Sequence, residues 1–292
     1  MNQIYERRSL LIALSGVVLG ATALFSGAAS AQNTLERIKK EGVVRLGFAN
    51  EAPYGYATPD GKLTGEAPEI AKVILKRMGV SEIEGVLTPF RSLIPGLQAG
   101  RFDIVAAGMY VTPKRCEQVI FSEPTYSMGQ AMLVPPGNPK DIHSFQAFVK
   151  NPNLRLGLLG GGQAHKTAQA LGIKNSQISL YQDGLSGIAA LEAGRIDAWT
   201  QTGLAVQRLL DSSAGAPVER AAPFEQPVID GKETRGHGAF AFRKEDVALR
   251  DAFNDELKKF LGTPEHRKLV RQFGFTEEER PTKTTAELCK GQ

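Results

Sequence analysis

The sequence has few of the residues that metal sites and covalent catalysis require. Its 292 residues include two cysteines and four histidines, and the histidines show no metal-ligand spacing such as H-E-x-x-H. The stretch 184–187 contains a serine but is no nucleophile elbow, because its second glycine comes one residue early. The glycine triplet at 160–162 matches neither phosphate-binding motif, GxGxxG or GxxxxGK[ST]. The sequence therefore predicts no metal and no cofactor.

An excess of charge of one sign is also missing. The chain has 35 basic and 31 acidic residues, for a net charge of +4, and they are scattered along the sequence. Nucleic-acid-binding proteins instead cluster lysine and arginine on one face, often among aromatic residues. We therefore expect no nucleic-acid partner.

Long apolar runs are confined to the N terminus. The run at 10–25 is short for a membrane span of about 20 apolar residues and is interrupted by serine and glycine. It follows Arg7 and Arg8 and precedes Ala-Ser-Ala at 29–31, which is the order of a cleaved signal peptide. We predict that residues 1–31 are removed on export to the periplasm, by the general or the twin-arginine route, with a membrane anchor as the alternative. No later segment is long and apolar enough to span a membrane, so the mature protein is expected to be soluble.

The mature sequence alternates short buried strands with amphipathic helices. Strands are predicted at 43–49 and 102–107, with a helix at 65–78 between them. A connection rich in proline at 133–139 precedes a second alternation, which begins with a strand at 154–159. This pattern predicts an α/β fold with mostly parallel sheets, divided into two lobes.

The two halves contain a short stretch of similar sequence, here called the echo. GLQAGRFD at 96–103 is similar to ALEAGRID at 190–197. The pattern also occurs wherever glycine caps a helix and arginine occupies its last turn, so a common turn is the alternative explanation. The echo favours two lobes of similar topology.

Six short stretches carry a resemblance to a known family. They are ANEAPY at 49–54, DGKLTG at 60–65, LQAGRFD at 97–103, MYVTPKR at 109–115, FSEPTY at 121–126 and GRID at 194–197. In this order and spacing they resemble the bacterial extracellular solute-binding proteins of polar amino-acid ABC transporters. Within that family, KRC at 114–116, the glycine triplet and LC at 288–289 are most similar to the binding proteins for ectoine and hydroxyectoine.

The resemblance implies a type II periplasmic-binding-protein fold, with two hinge crossings and the ligand in the cleft between the lobes. Lobe one is expected at 32–134 and 240–292, and lobe two at 135–239. The implied function is the substrate-binding component of an ABC importer, acting as a monomer that delivers a small zwitterion, ectoine or hydroxyectoine, to a membrane permease. A polar amino acid is the alternative ligand. A cyclohexadienyl-dehydratase-like enzyme is the catalytic alternative, although we expect no enzyme.

Candidate ligand-binding residues follow from strand ends and from the resemblance. Ligands of open parallel sheets lie beyond the carboxyl ends of strands, which places Glu51, Gly108 and Tyr110 at one crevice. The family's carboxylate-binding arginine corresponds to Arg115, whose guanidinium suits a bidentate contact, and Glu51 suits a cationic group.

Five more candidates depend on the resemblance or on backbone geometry. Tyr54 and Phe90, together with Tyr110, align with the aromatic box of the ectoine-binding relatives, where ring faces attract cations. The backbone at Gly162 and Gln163 opens a helix and favours an anion. Thr202 stands where amino-acid binders of the family carry aspartate for the α-amino group, which favours a ligand with a delocalised cation.

Cys116 and Cys289 are the two cysteines. Export to an oxidising compartment and an even count predict that they pair, and the pattern of the relatives supports this. Such a bond would hold the C-terminal tail against lobe one, close to Arg115.

Overall fold

A computed structural model describes residues 34–291 of the chain. The predicted signal peptide at 1–31 lies outside the described residues and stays a prediction. None of the helices between residues 34 and 291 combines the length and apolar character needed to cross a membrane.

Helices and strands alternate through most of the described chain. The helices are α1 (Thr34–Glu41), α2 (Glu66–Arg77), α3 (Leu93–Gln98), α4 (Pro113–Cys116), α5 (Gln146–Lys150), α6 (Gln163–Ala170), α7 (Gly184–Glu192), α8 (Gly203–Ser212), α9 (Val247–Phe260), α10 (Pro264–Arg271) and α11 (Thr285–Cys289). The strands are β1 (Val43–Phe48), β2 (Tyr56–Ala57), β3 (Leu63–Thr64), β4 (Glu82–Leu87), β5 (Ile104–Tyr110), β6 (Ile120–Phe121), β7 (Tyr126–Met128), β8 (Gln130–Val134), β9 (Leu156–Leu159), β10 (Ile178–Tyr181), β11 (Ala198–Thr202), β12 (Glu219–Arg220), β13 (Val228–Ile229), β14 (Lys232–Glu233) and β15 (Gly236–Phe242).

Two sheets form the centres of two lobes. The first has the order β4-β1-β5-β15-β6, with β7 also paired to β15, and the second has the order β10-β9-β11-β8-β12. In each sheet three strands are parallel, β4-β1-β5 and β10-β9-β11, while β15 and β8 run antiparallel to their neighbours. The expected two-lobe α/β fold is therefore confirmed, but the sheets are mixed rather than mostly parallel. The reason is that β15 and β8 are the segments that arrive from the other lobe.

The chain changes sheets twice. It passes from β7 to β8 across Gly129, and it returns to the first sheet at β15. The lobe limits expected at 134 and 239 fall a few residues after these changes and remain a prediction. The proline-rich connection follows β8, which already belongs to the second sheet. For this reason the proline and glycine residues of the sequence suggest a lobe limit later than the observed change of sheet.

The periodicity of the sequence places α2 in the core of lobe one. Ile70, Ile74 and Leu75 lie on one face and are completely buried, and α2 packs against β5 and α9. Burial of such side chains contributes about 1.5–3 kcal/mol each. This packing fixes β1 and β5, whose ends carry two of the expected ligand-binding residues.

The sequence echo corresponds to the same arrangement in both lobes. Asp103 accepts hydrogen bonds from the backbone N–H and the Nη2 of Arg45, at 3.0 and 3.2 Å. Asp197 accepts from the backbone N–H and the Nη2 of Arg155, at 2.7 and 3.3 Å. Each aspartate ties the start of one central strand to its parallel neighbour, so the echo reflects equivalent structure.

Cys116 and Cys289 form the expected disulfide. It joins α11 to α4, and these two helices also pack against each other. The C-terminal tail is thereby held beside the helix that carries Arg115.

Candidate functional site

A cavity of about 50 Å³ lies between the two lobes. All nine residues predicted as ligand-binding line it: Glu51, Tyr54, Phe90, Gly108, Tyr110, Arg115, Gly162, Gln163 and Thr202. That these residues bind a ligand stays a prediction, but the structure brings the whole set together.

Arg115 lies on α4, beside the cavity. Thr112 caps this helix by accepting a hydrogen bond from the Arg115 N–H. The guanidinium donates to the carbonyl oxygen of Tyr110 from Nη1 at 2.7 Å and to that of Gly161 from Nη2 at 2.9 Å. It also lies 5.5 Å from the ring centroid of Phe90. Burial lowers the pKa of Arg115 to about 10, which leaves it charged at neutral pH.

The contact between Arg115 and Phe90 changes the interpretation of the phenylalanine. The sequence assigns Phe90 to a box of rings for the ligand's cation. In the structure it lines the cavity and at the same time packs under the protein's own cation. The ring of Phe90 therefore packs against the guanidinium of Arg115, an arrangement that the attraction between a cation and an aromatic ring favours.

Glu51 follows β1 and projects toward the second lobe. Its Oε1 accepts a hydrogen bond from Nε2 of Gln201 at 3.0 Å. Burial raises the pKa of Glu51 to about 7, while the Gln201 hydrogen bond and the charge of Arg115 oppose this rise. The cavity thus holds one acidic and one basic side chain whose charges favour each other.

Three tyrosines make one wall of the cavity. Tyr54 stacks on Tyr126 with ring centroids 5.0 Å apart, and Tyr110 lies tilted to Tyr126 at 6.2 Å. Gly108 lies under this group with φ of 61°, and a Cβ at that position would stand 2.7 Å from both Tyr54 and Tyr126. The rings therefore pack closely only because position 108 lacks a side chain.

Thr202 ends β11 and caps α8. Its hydroxyl oxygen accepts a hydrogen bond from the Tyr54 hydroxyl at 2.7 Å and one from the backbone N–H of Ala205 at 3.4 Å. A neutral hydroxyl of the second lobe thus meets a phenol of the first. No charge is added to the cavity at this position.

The glycine triplet lets the lobes approach each other. Gly161 has φ of 82°, and a Cβ there would lie 2.8 Å from the Cα of Arg91 in lobe one. Gly162 is the N-cap of α6, so this helix begins at Gln163 in the cavity wall. The triplet therefore serves the closure of the cavity as well as the helix start that favours an anion.

Six further residues line the cavity that the sequence analysis does not single out. They are Tyr126, Gln130, Leu159, Ala164, Thr200 and Gln201. Tyr126 belongs to the stretch FSEPTY, and Gln201 is a polar residue inside an otherwise buried strand. The role of Gln201 could have been suspected from the sequence, because a polar side chain in a buried strand normally has a hydrogen-bond partner.

The lobes are closed on each other. Three hydrogen bonds join the lobes at the cavity, Tyr54 to Thr202, Gln201 to Glu51 and Arg115 to Gly161, and Arg208 donates to the carbonyl of Gln272 away from it. Residues 34–291 contain no group of three or more histidine, cysteine, aspartate or glutamate side chains placed to hold a metal ion.

Two sheet-rich lobes joined by two crossings, with a polar and aromatic cavity between them, define the class of type II periplasmic binding proteins. A family model of bacterial extracellular solute-binding proteins, family 3, matches residues 44–277. The chain belongs to this family, as the resemblance implies. It is the solute-binding component of an ABC transporter of the amino-acid type, which binds a small ligand and delivers it to a membrane permease.

Relatives and solved structures agree with this placement. A probable amino-acid ABC transporter periplasmic-binding protein, y4tE of Sinorhizobium fredii, is 40% identical over 93% of this chain and 91% of its own length. The histidine-binding periplasmic protein of Salmonella typhimurium is 27% identical over 76% of this chain and 83% of its own. The crystal structure of EhuB in complex with hydroxyectoine has a TM-score of 0.82 at 35% identity, covering 89% of this chain and 99% of that one.

A further structure bears on the catalytic alternative. An ancestral amino-acid-binding protein, described as a precursor of cyclohexadienyl dehydratase, has a TM-score of 0.71 at 27% identity, covering 82% of this chain and 99% of that one. That protein too is a binding protein, like the periplasmic relatives above.

Proposed function

We propose that this protein captures ectoine or hydroxyectoine in the periplasm and acts there as a monomer after removal of residues 1–31. The observation that carries the proposal is the composition of the cavity. It pairs one carboxylate, Glu51, with one guanidinium, Arg115, along a wall of tyrosine rings. The similarity to EhuB bound to hydroxyectoine supports the same ligand class.

Each end of a compact zwitterion has a matching group. The carboxylate would meet Arg115 and the N-terminal turn of α6, because both favour negative charge. The cation would meet Glu51 and the faces of the rings, which suit a flat, delocalised charge. Thr202 presents a hydroxyl in place of a carboxylate. An α-ammonium group would therefore have Glu51 as an anionic partner but no carboxylate in the lobe-two wall.

Closure of the lobes would be coupled to binding. The guanidinium of Arg115 and the carboxylate of Glu51 now bond to lobe two directly. A ligand in the cavity would contact Arg115 and Glu51 together with the lobe-two wall, so it would add to these contacts and select the closed form. The hinge is expected near 134–139 and 236–241.

A polar amino acid is the second candidate, favoured by the names of the 40% identical relative and the histidine-binding protein. Calorimetry with ectoine, hydroxyectoine, glycine betaine, proline, histidine, arginine and glutamine separates the two. Mass spectrometry of ligand released from the purified protein gives an independent answer. Tight binding of an ordinary α-amino acid without an ectoine signal would reject the ectoine proposal and keep the transport role.

One observation favours testing for catalysis as well. A carboxyl group with a pKa of about 7 in a cleft, as in Glu51, is suited to proton transfer. Incubation with prephenate and arogenate decides this: product formation means a dehydratase-like enzyme, and thermal stabilisation without turnover means binding only.

A further inference from the structure

Gln201 connects the acidic residue of the cavity to the interior of lobe two. Its Oε1 accepts a hydrogen bond from Nε1 of Trp199 at 3.0 Å, and its Nε2 donates to Oε1 of Glu51 at 3.0 Å. Trp199 is completely buried and Gln201 is 5% exposed. The amide therefore lies between a fixed donor on one side and a carboxylate on the other.

The indole of Trp199 has little freedom to move. A Cβ at Gly187 would lie 2.3 Å from the ring, and one at Gly157 would lie 3.0 Å from it. Tyr181 packs edge-on against the same ring, with centroids 5.8 Å apart. Because an indole N–H only donates, it requires the oxygen of the Gln201 amide, and the NH2 group must then face Glu51.

This orientation has two consequences for Glu51. A hydrogen bond donated to a carboxylate favours its ionised form, which opposes the effect of burial. It also uses one of the acceptor sites of the carboxylate, so fewer of them are left for a ligand. An ammonium group has three N–H donors to satisfy, whereas a delocalised cation in a ring has fewer and can stack on tyrosine.

We propose that Gln201, oriented by Trp199, is a specificity-determining residue for the cationic end of the solute. It favours the ionised form of Glu51 and reduces the acceptor sites that Glu51 offers to a ligand, which selects a delocalised cation over an α-ammonium. This inference rests on the proposed function in assuming that Glu51 receives the ligand's cation.

Of the other ionisable groups around the cavity, the arginine and the tyrosines titrate away from neutral pH and Glu66 does not. Arg115 has a pKa of about 10, and burial raises the pKa values of Tyr54, Tyr110 and Tyr126. Glu66, which acts electrostatically on Tyr54 and Tyr126, has a pKa raised to about 7 by burial. A pH profile of binding therefore needs a direct assignment of Glu51.

The test compares the wild type with Gln201→Leu and with Gln182→Leu, an exposed glutamine of the same lobe. Calorimetry with hydroxyectoine, between pH 5.5 and 9, should place the midpoint of the Gln201→Leu profile about one pH unit higher, with an affinity about tenfold lower at pH 7. At pH 9, where Glu51 is ionised in every variant, the ratio of hydroxyectoine to glutamine affinity should fall about fivefold. Gln182→Leu should match the wild type.

Two NMR measurements on the ligand-free protein keep the inference independent of the ligand. The carboxyl ¹³C signal of Glu51, assigned by its loss in Glu51→Gln, should titrate at higher pH in Gln201→Leu. The sequence has one tryptophan, so its indole N–H gives one signal, which should shift in Gln201→Leu and stay in Gln182→Leu.

The two proposals fail in different ways. If the wild type binds neither ectoine nor hydroxyectoine, the proposed function is wrong, while the Glu51 titration still decides whether Gln201 controls its charge. If hydroxyectoine binds but Gln201→Leu leaves the pH midpoint, the affinity ratio and the Glu51 titration unchanged, the role of Gln201 is wrong. An unchanged indole signal in Gln201→Leu would reject its orientation by Trp199.

Discussion

The two lobes share a scaffold but differ in what they bring to the cavity. Asp103 and Asp197 make the same pair of bonds, to Arg45 in β1 and to Arg155 just before β9. The cavity, in contrast, takes its charges and its tyrosines from lobe one. From lobe two it takes a glycine loop, an aliphatic side chain, hydroxyls and the amides of Gln163 and Gln201.

This difference separates two tasks that one fold performs. Lobe one supplies the groups that attract a charged solute, and the disulfide fixes α4 on that side. Lobe two supplies neutral donors and acceptors that complete the cavity only after closure. We infer that charge in lobe one governs the affinity and that hydrogen bonding from lobe two governs selection and closure.

The hydrogen bonds of the aspartate that both lobes share can be removed in one lobe at a time. Asp103→Ala should lower the free energy of unfolding by about 3–5 kcal/mol, because it removes the two hydrogen bonds to Arg45 and leaves the buried Arg243 with Asp246 alone as its carboxylate partner. Arg243, which is 10% exposed, lies 3.6 Å from Asp103, and Arg37 lies 2.6 Å away. Urea unfolding of the ligand-free protein measures the change.

The matching variant in lobe two should be milder. The partners of Asp197 are Lys140 and Arg155, which are 49% and 47% exposed and can return to water. Asp197→Ala should therefore cost about 1–3 kcal/mol, mostly from the two bonds to Arg155. Equal losses for the two aspartates would contradict the explanation by burial of the partners.

The charges of lobe one should dominate the affinity. Arg115→Ala should reduce binding of hydroxyectoine at least about 100-fold, near 3 kcal/mol, because the ligand's carboxylate would be buried without its partner. Glu51→Gln should cost about 1.5–3 kcal/mol, the range for a hydrogen bond to a charged group. Calorimetry measures both, with Arg91→Ala as a variant of an exposed arginine outside the cavity. Unchanged affinity in Arg115→Ala would contradict the assignment of charge to lobe one.

The first residue of α2, the helix that follows β1, and that of α6, the helix that follows β9, offer a test by pH. Lobe one has Glu66 at this position and lobe two has Gln163. Burial raises the pKa of Glu66 to about 7, and the nearby Thr125 hydroxyl reduces this rise. Neither carboxylate oxygen of Glu66 has a hydrogen-bond partner of good geometry within the described residues. The unfolded chain ionises this group near pH 4.5, so stability should fall as the pH rises from about 4.5 to 7.

Glu66→Gln gives lobe one the residue of lobe two and removes this dependence. The displaced pKa is worth about 3 kcal/mol across that range, so the loss of stability between pH 4.5 and 7 should shrink by about that amount. Urea unfolding at pH 5, 6 and 7 measures it, with the exposed Glu84→Gln as control. A slope identical to that of the wild type would show that Glu66 is ionised in the folded protein.

The sequence predicts those features that depend on local pattern. Strand ends place Glu51 and Tyr110 at one crevice, and the buried face of α2 follows from its periodicity. The sequence does not predict that Phe90 lies under Arg115 or that Gln201 links Trp199 to Glu51. The first contact joins two separate segments of lobe one. The second needs the closure of the lobes and the space left by Gly157 and Gly187, which involve residues far apart in the chain.

The smallest expected effect belongs to lobe two. Thr202→Val removes the acceptor for the Tyr54 hydroxyl while nearly keeping the side chain's shape, so a buried phenol loses its partner. We expect the affinity for hydroxyectoine to fall by about 0.5–1.5 kcal/mol, roughly twofold to tenfold. Thr202→Ser, which retains the hydroxyl, should bind like the wild type.

Closure provides the second readout for this position. If the hydroxyl helps to hold the lobes together, Thr202→Val should be more extended than the wild type in small-angle scattering without ligand, and saturating hydroxyectoine should remove the difference. Thr202 also caps α8, so both variants require a check of unfolding free energy. A loss as large as that of Arg115→Ala would overturn the division between charge in lobe one and selection in lobe two, because a neutral hydrogen bond would then contribute as much as the guanidinium.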